Sequence, residues 1–114
     1  MSTNDYKEYD IMILKVGFDD GTGFKFRPAI IIKVNGEDIA FYKITSQFEN
    51  KSKYIQSKYF EIIDYIQAGL RKRSWIDTMT VRKTNEKEIH FHVVGRLSMR
   101  DTARFIQFLQ SATK

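Results

Sequence analysis

The chain has no cysteine, a single proline and a single tryptophan among its 114 residues. Without cysteine there is no disulfide framework, no thiolate zinc site and no cysteine nucleophile, a pattern that suits a reducing cytoplasm. No apolar run approaches the roughly 20 residues of a membrane span. The opening MSTNDYKEYD is polar and acidic, where an export signal would be basic and then apolar. The expectation is a cytoplasmic protein with no membrane partner. Internal repeats and low-complexity tracts are missing as well, and so is any Ser-His-Asp order or paired-carboxylate pattern. The glycines of GTG (21–23) lack the lysine and helix of a phosphate-binding loop, so no nucleotide or other cofactor is expected.

With 42% apolar and 14% aromatic residues, the chain has enough material to offset its ordering entropy in one core, so residues 1–114 read as a single domain. Only the ends, Met1 to Lys7 and Thr113 to Lys114, are polar enough to read as disordered. Nineteen basic residues against 14 acidic give a formal charge of +5, which favours an anionic partner such as nucleic acid or an acidic peptide.

Asp10 to Phe18 (DIMILKVGF) is a predicted strand, followed by the turn-forming DDGTG. Phe26 to Val34 (FRPAIIIKV) is a second, with Pro28 near its start, where a missing N–H is tolerated. Asn35-Gly36 signals a type I′ hairpin, which returns Glu37 to Thr45 antiparallel beside it. Ser46 to Ser57 reads as a long exposed loop, and Lys58 to Leu70 as a strand that turns, with Gly69 as a stop. Arg73 to Lys83 and Ile89 to Leu97 are further strands around a TNEKE turn. The period then changes. Ser98 with Asp101 three residues on opens a helix whose apolar stripe is predicted as Thr102, Phe105, Ile106 and Leu109. The fold class is therefore mainly β with a C-terminal α-helix, as a small, strongly bent β-barrel.

The residue before a proline is pushed to extended backbone, which sets the direction of Arg27 at the start of its strand. A permanently charged guanidinium there suits a phosphate, or serves as an ordinary surface cation beside a turn. Thr45 and Ser46 close the partner strand at the same end of the sheet, where their hydroxyls can donate to a phosphate or form a turn. His90 and His92 share a strand face at the spacing of two metal ligands or an acid–base pair, but no third ligand lies near them in sequence. Asp19-Asp20 is explained by its glycine-rich turn as well as by a cation. Basic and aromatic residues interleave in FKFR, FENKSKYIQSKYF and LRKRSW, as a single-stranded nucleic acid site requires. Lys25, Phe48, Lys53, Arg71, Arg73 and Trp75, together with Lys43, are the candidates for contact with RNA.

The ordered set DIMIL, GTGFKFRPAIII, AFYKITS, AGLRKRSWID and VVGRLS, spanning about Asp10 to Leu109, resembles the PemK/MazF family of toxin endoribonucleases from bacterial toxin–antitoxin systems. The resemblance implies an SH3-like barrel of the PemK/CcdB type, usually a homodimer. It implies cleavage of single-stranded RNA without a metal, leaving a cyclic phosphate and a 5′-hydroxyl, and inhibition by a small acidic antitoxin. Carried over, the family's catalytic arginine falls on Arg27 and its catalytic threonine or serine on Thr45, with Ser46 adjacent. The acidic position of some relatives falls on Asp77. The chain departs from the family at the arginines that often accompany the Asp77 position, where it has Trp75 and TMTVRK. That departure leaves a non-cleaving RNA binder, or a CcdB-like gyrase-binding barrel, as the alternative.

Overall fold

A computed structural model describes residues 5–18 and 20–112. Strands β1 (Asp10–Gly17), β2 (Phe24–Asn35) and β3 (Asp38–Thr45) form an antiparallel meander, with Met12 opposite Ala29 and Ile30 opposite Tyr42. The apolar runs IMIL and AIII are continuous rather than alternating because both faces of these strands are covered. Ile11, Ile30, Tyr42 and Ile44 enter one cluster with Phe60, Ile76 and Phe105. Met12, Leu14, Ala29, Ile31, Ile39 and Phe41 enter a second with Tyr6.

An extra residue in β2, where the register with β3 shifts between Ile31 and Lys33, lets Val34 join Ile31 in the second cluster three positions on. The β2–β3 turn sits one residue later than the Asn35-Gly36 signal predicts. Asn35 pairs with Asp38, so Gly36 and Glu37 are the turn residues, and only Gly36 has positive φ (64°). That is the backbone sign pattern of a type II′ turn, in which glycine takes the first central position, and not of type I′.

The predicted loop Ser46 to Ser57 ends in a short helix, α1 (Lys53–Ser57), capped by the Ser52 side chain. Strand β4 (Tyr59–Ile62) follows, then a turn-rich segment to Leu70. The predicted strand Arg73 to Lys83 is two strands, β5 (Ser74–Asp77) and β6 (Arg82–Asn85), which pair in succession with β3. β6 takes Asp38 to Phe41, and β5 takes Ile44 and Thr45. β7 (His90–Arg96) lies on β1. The strand order is β4-β5-β3-β2-β1-β7 with β6 on β3, and the sheet is not closed into a barrel by strand pairing.

The C-terminal helix α2 (Met99–Ala112) begins as expected, with the Asp101 N–H donating to Ser98 Oγ at 3.1 Å. Its buried stripe is rotated from the predicted one. Asp101 and Phe105 are fully buried, Phe108 and Leu109 pack beside them, and Ile106 is 38% exposed. Phe105 meets Phe60, Tyr42 and Tyr9 edge-on or tilted, with ring centroids 5.1 to 6.4 Å apart. Of the ends predicted to be disordered, Met1 to Asn4 and Thr113 to Lys114 lie outside the described residues, as does Asp19. Tyr6 is buried against Phe91, which corrects the expectation for that part of the N-terminal segment. Among the described residues no helix is long and apolar enough to cross a membrane.

Candidate nucleic-acid interface

Pro28 has no N–H, and the β2–β3 ladder ends at the next residue, Ala29 opposite Lys43. β1 continues to pair through Pro28 to Phe24. Residues Phe24 to Arg27 are therefore paired on the β1 side alone, an edge that proline tolerates. Beyond Lys43, β3 turns its pairing to β5. Continued one same-face step past Ala29 and Lys43, the register sets Arg27 opposite Thr45, at the end where the two strands part.

Alternation along these strands carries the same face across the sheet. Arg27 of β2, Lys43 and Thr45 of β3, Trp75 and Asp77 of β5, and Tyr59 and Glu61 of β4 share it, because Thr45 opposes Trp75, Trp75 opposes Glu61, and Asp77 opposes Tyr59. Lys43 Nζ lies 3.5 Å from Asp77 Oδ2, and the Met79 N–H donates to Asp77 Oδ1 at 2.9 Å. Burial raises the Tyr59 hydroxyl above its ordinary value, with a smaller contribution from the negative charge of Asp77.

Phe48 reaches back from the loop after β3 to stack on Trp75, with centroids 4.7 Å apart and planes 10° from parallel. The Arg73 guanidinium lies 5.1 Å from the same indole and pairs with Glu61 at 3.0 Å. Trp75 is consequently only 5% exposed, and its neighbours occupy the contacts it would otherwise offer to a base. Thr45 Oγ1 accepts the Gln47 N–H at 3.0 Å, which leaves the hydroxyl proton available to a ligand. Arg27 is exposed and makes no side-chain hydrogen bond or ion pair among the described residues. An anion set at the parting of β2 and β3 meets an uncommitted cation on one side and a hydroxyl donor on the other.

The fold thus gathers Arg27, Lys43, Thr45, Phe48, Arg73, Trp75 and Asp77 from distant parts of the sequence onto one face. Ser46 adjoins them, half-buried. Lys25 shares the face of Arg27, with its Nζ 5.6 Å from the Phe18 ring centre. Lys53 starts α1 and Arg71 precedes β5, both exposed and joined to the rest by no described contact. Tyr59 and Glu61 are the members that sequence reasoning misses. The alternation of KYFEI about buried Phe60 is the signal for them, since period two puts Tyr59 and Glu61 on one face. His90 and His92 lie on β7, and no group of three or more metal-ligating side chains occurs among the described residues. A groove of about 440 Å³ lined by Lys33, Asp38, Ala40, Lys83 and Asn85 lies over β3 and β6, at the far end of β3 from Thr45. The chain matches no family model and no curated protein.

Proposed function

We propose that this protein is the toxin of a type II toxin–antitoxin system: a metal-independent endoribonuclease of the PemK/MazF kind that cleaves single-stranded RNA in the cytoplasm, on a strand arrangement of the SH3-like type. The observation that carries the reading is the register that brings Arg27 and Thr45 to one strand end, on a face that also holds Lys43 and Asp77. In the reaction a ribose 2′-oxygen bonds to its neighbouring phosphorus and the bond to the 5′-oxygen breaks. The proton lost by the 2′-hydroxyl ends on the departing 5′-oxygen. Arg27 stays protonated throughout and stabilises charge on the phosphoryl oxygens. Thr45 donates to the same oxygens and relays the proton. Asp77, fixed by Lys43 and the Met79 amide, orients the cation beside them.

The companions of this reading are a small acidic antitoxin that competes with RNA for the cationic face and a homodimer. Incubation with single-stranded RNA in chelator yields fragments with 5′-hydroxyl and cyclic phosphate ends. Arg27→Ala is expected to slow the cut by roughly 10²-fold or more, the scale of removing a transition-state charge partner. Cleavage that needs a metal, or full activity in Arg27→Ala, overturns the mechanism. RNA that binds but stays intact at every sequence favours the non-cleaving alternative, which the loss around Trp75 of arginines that the family often carries supports. A supercoiling assay separates its gyrase-binding form.

A further inference from the structure

The face of the sheet opposite Arg27 is open at the far end of β1. Ile13 pairs with Pro28 and with His92, Lys15 with Phe26 and with His90, and Gly17 with Phe24, so these side chains stand on one side of three adjacent strands. Nearer the chain's core the same side carries Ile11 and Ile30, which are covered by the cluster around Phe105. Beyond Ile13 the cover stops. Phe24 and Phe26 are 50% and 58% exposed, and Lys15, His90 and His92 are exposed beside them.

The two rings meet edge to face with centroids 5.6 Å apart, and Lys15 Nζ sits 4.0 Å from the centre of the Phe24 ring. Among the described residues, no acidic side chain takes a position on this patch of the three strands. Paired exposed rings are unusual on a soluble surface and mark a place that something covers. Rings held on a rigid sheet with a lysine and two imidazole N–H donors among them suit unstacked bases joined by phosphates. The lysine disfavours a basic partner, and the two rings in edge-to-face contact form one continuous aromatic platform, of which Phe26 is the more open member.

We propose that Phe24 and Phe26 form a base-stacking subsite for single-stranded nucleic acid, with Lys15, His90 and His92 facing its backbone. Neighbouring residues of a strand point to opposite faces, so Phe26 and Arg27 look out on the two sides of the unpaired β2 edge. A strand draped over that edge stacks on Phe26 and brings a phosphate round to Arg27. The subsite thereby deepens the RNA reading of the Arg27 face, and it rests on that reading only for where the strand goes next.

The test is fluorescence anisotropy with a labelled 2′-O-methyl oligouridine, which has no 2′-hydroxyl nucleophile and stays intact. Phe26→Ala is expected to weaken binding about tenfold, the double variant with Phe24→Ala further, and Phe26→Tyr little, because a ring is retained. Both phenylalanines are exposed, so thermal melts of the variants should match the parent. Unchanged affinity in the double variant overturns the proposal. So does sedimentation showing that the rings hold a second copy of the chain, with self-association lost in the double variant and oligouridine affinity unaltered. Cleavage of ordinary RNA, read separately with Arg27→Ala, can fail while the stacking subsite stands, and the reverse.

Discussion

Gly69 and Gly95 bring two backbones into contact. A Cβ at Gly69 would lie 2.5 Å from the Val94 carbonyl oxygen, and one at Gly95 would meet the backbone of Ala68 from the other side. The segment after β4, at one end of the strand order, is thereby held against β7, at the other end, without strand pairing. Gly69 also has φ of +89°, so alanine there combines a backbone collision with a left-handed conformation. Gly69→Ala and Gly95→Ala are each expected to lower stability by about 1–3 kcal/mol or more, the range for overpacking and for strained backbone. Gly36 is the comparison, with φ of +64° and open space around its Cα. Gly36→Ala should cost only about 1–2 kcal/mol from handedness. Urea midpoints of the three variants check the order.

The stack of Phe48 on Trp75 ties the loop after β3 to the candidate RNA face. Trp75 is the only tryptophan, so its emission reports on this one place. Phe48→Ala is expected to shift that emission to longer wavelength as water reaches the indole, and to cost about 0.5–1.5 kcal/mol beyond the lost area, as aromatic pairs do. An unshifted spectrum would mean that the other neighbours of the indole, Arg73 among them, keep it dry.

How far these features could be read in advance depends on whether the determining contact is local. The β1–β2–β3 meander was legible because IMIL, AIII and the Asn-Gly pair act within a few residues. The turn lies one residue beyond the Asn-Gly signal because Asn35 remains paired with Asp38, and strand register is settled along the whole ladder. The break between β5 and β6 was hidden, since both segments have strand character and only their shared partner, β3, divides them. In α2 the apolar pattern suggested Ile106 on the buried stripe. The buried place is taken by Asp101, which a stripe of apolar residues cannot reveal, because its carboxylate is neutralised by Arg104 at 2.7 Å and accepts the Asp64 N–H at 2.7 Å from another segment. On the candidate face, Arg27 and Thr45 stand out at strand ends in the sequence, and Asp77 is singled out by the resemblance alone. Their gathering with Tyr59 and Glu61 follows from strand order, which lies outside local pattern.

Asp64 joins the segment after β4 to the start of α2. Hydrogen bonds from Arg100 Nη2 at 2.5 Å and Nε at 3.2 Å, and from the Ser98 hydroxyl at 2.6 Å, hold its carboxyl below the ordinary 3.8. A depressed folded-state pKa adds stability that is present above the unfolded value and is lost as pH falls through the folded one. Stability should therefore decline from about pH 4 downward, and Asp64→Asn should flatten that limb while lowering stability at neutral pH. Urea titrations of parent and variant between about pH 2 and 7 give the comparison. Parallel acid limbs would assign the loss to other carboxylates.

At the other extreme the sensitive group is Tyr6. Its ring packs on Phe91 with centroids 5.3 Å apart, and burial, followed by the carboxylates of Glu86 and Glu37, pushes its hydroxyl up to about 12 from 10.0. In this case the charged form is the disfavoured one in the folded chain. Below about pH 10 the phenol is neutral in both states and its contribution is fully present. Between about 10 and 12 the unfolded chain releases the proton and the folded chain keeps it, so stability falls as pH rises. Lysines lose charge over the same range, which makes the parent's alkaline limb a composite. The difference between the parent and Tyr6→Phe isolates the one group, since phenylalanine keeps the ring contact and cannot ionise. The variant should be close to the parent at neutral pH and become relatively more stable as pH passes 10. A constant difference across the alkaline range would mean that the Tyr6 hydroxyl ionises with its ordinary affinity despite Glu86 and Glu37.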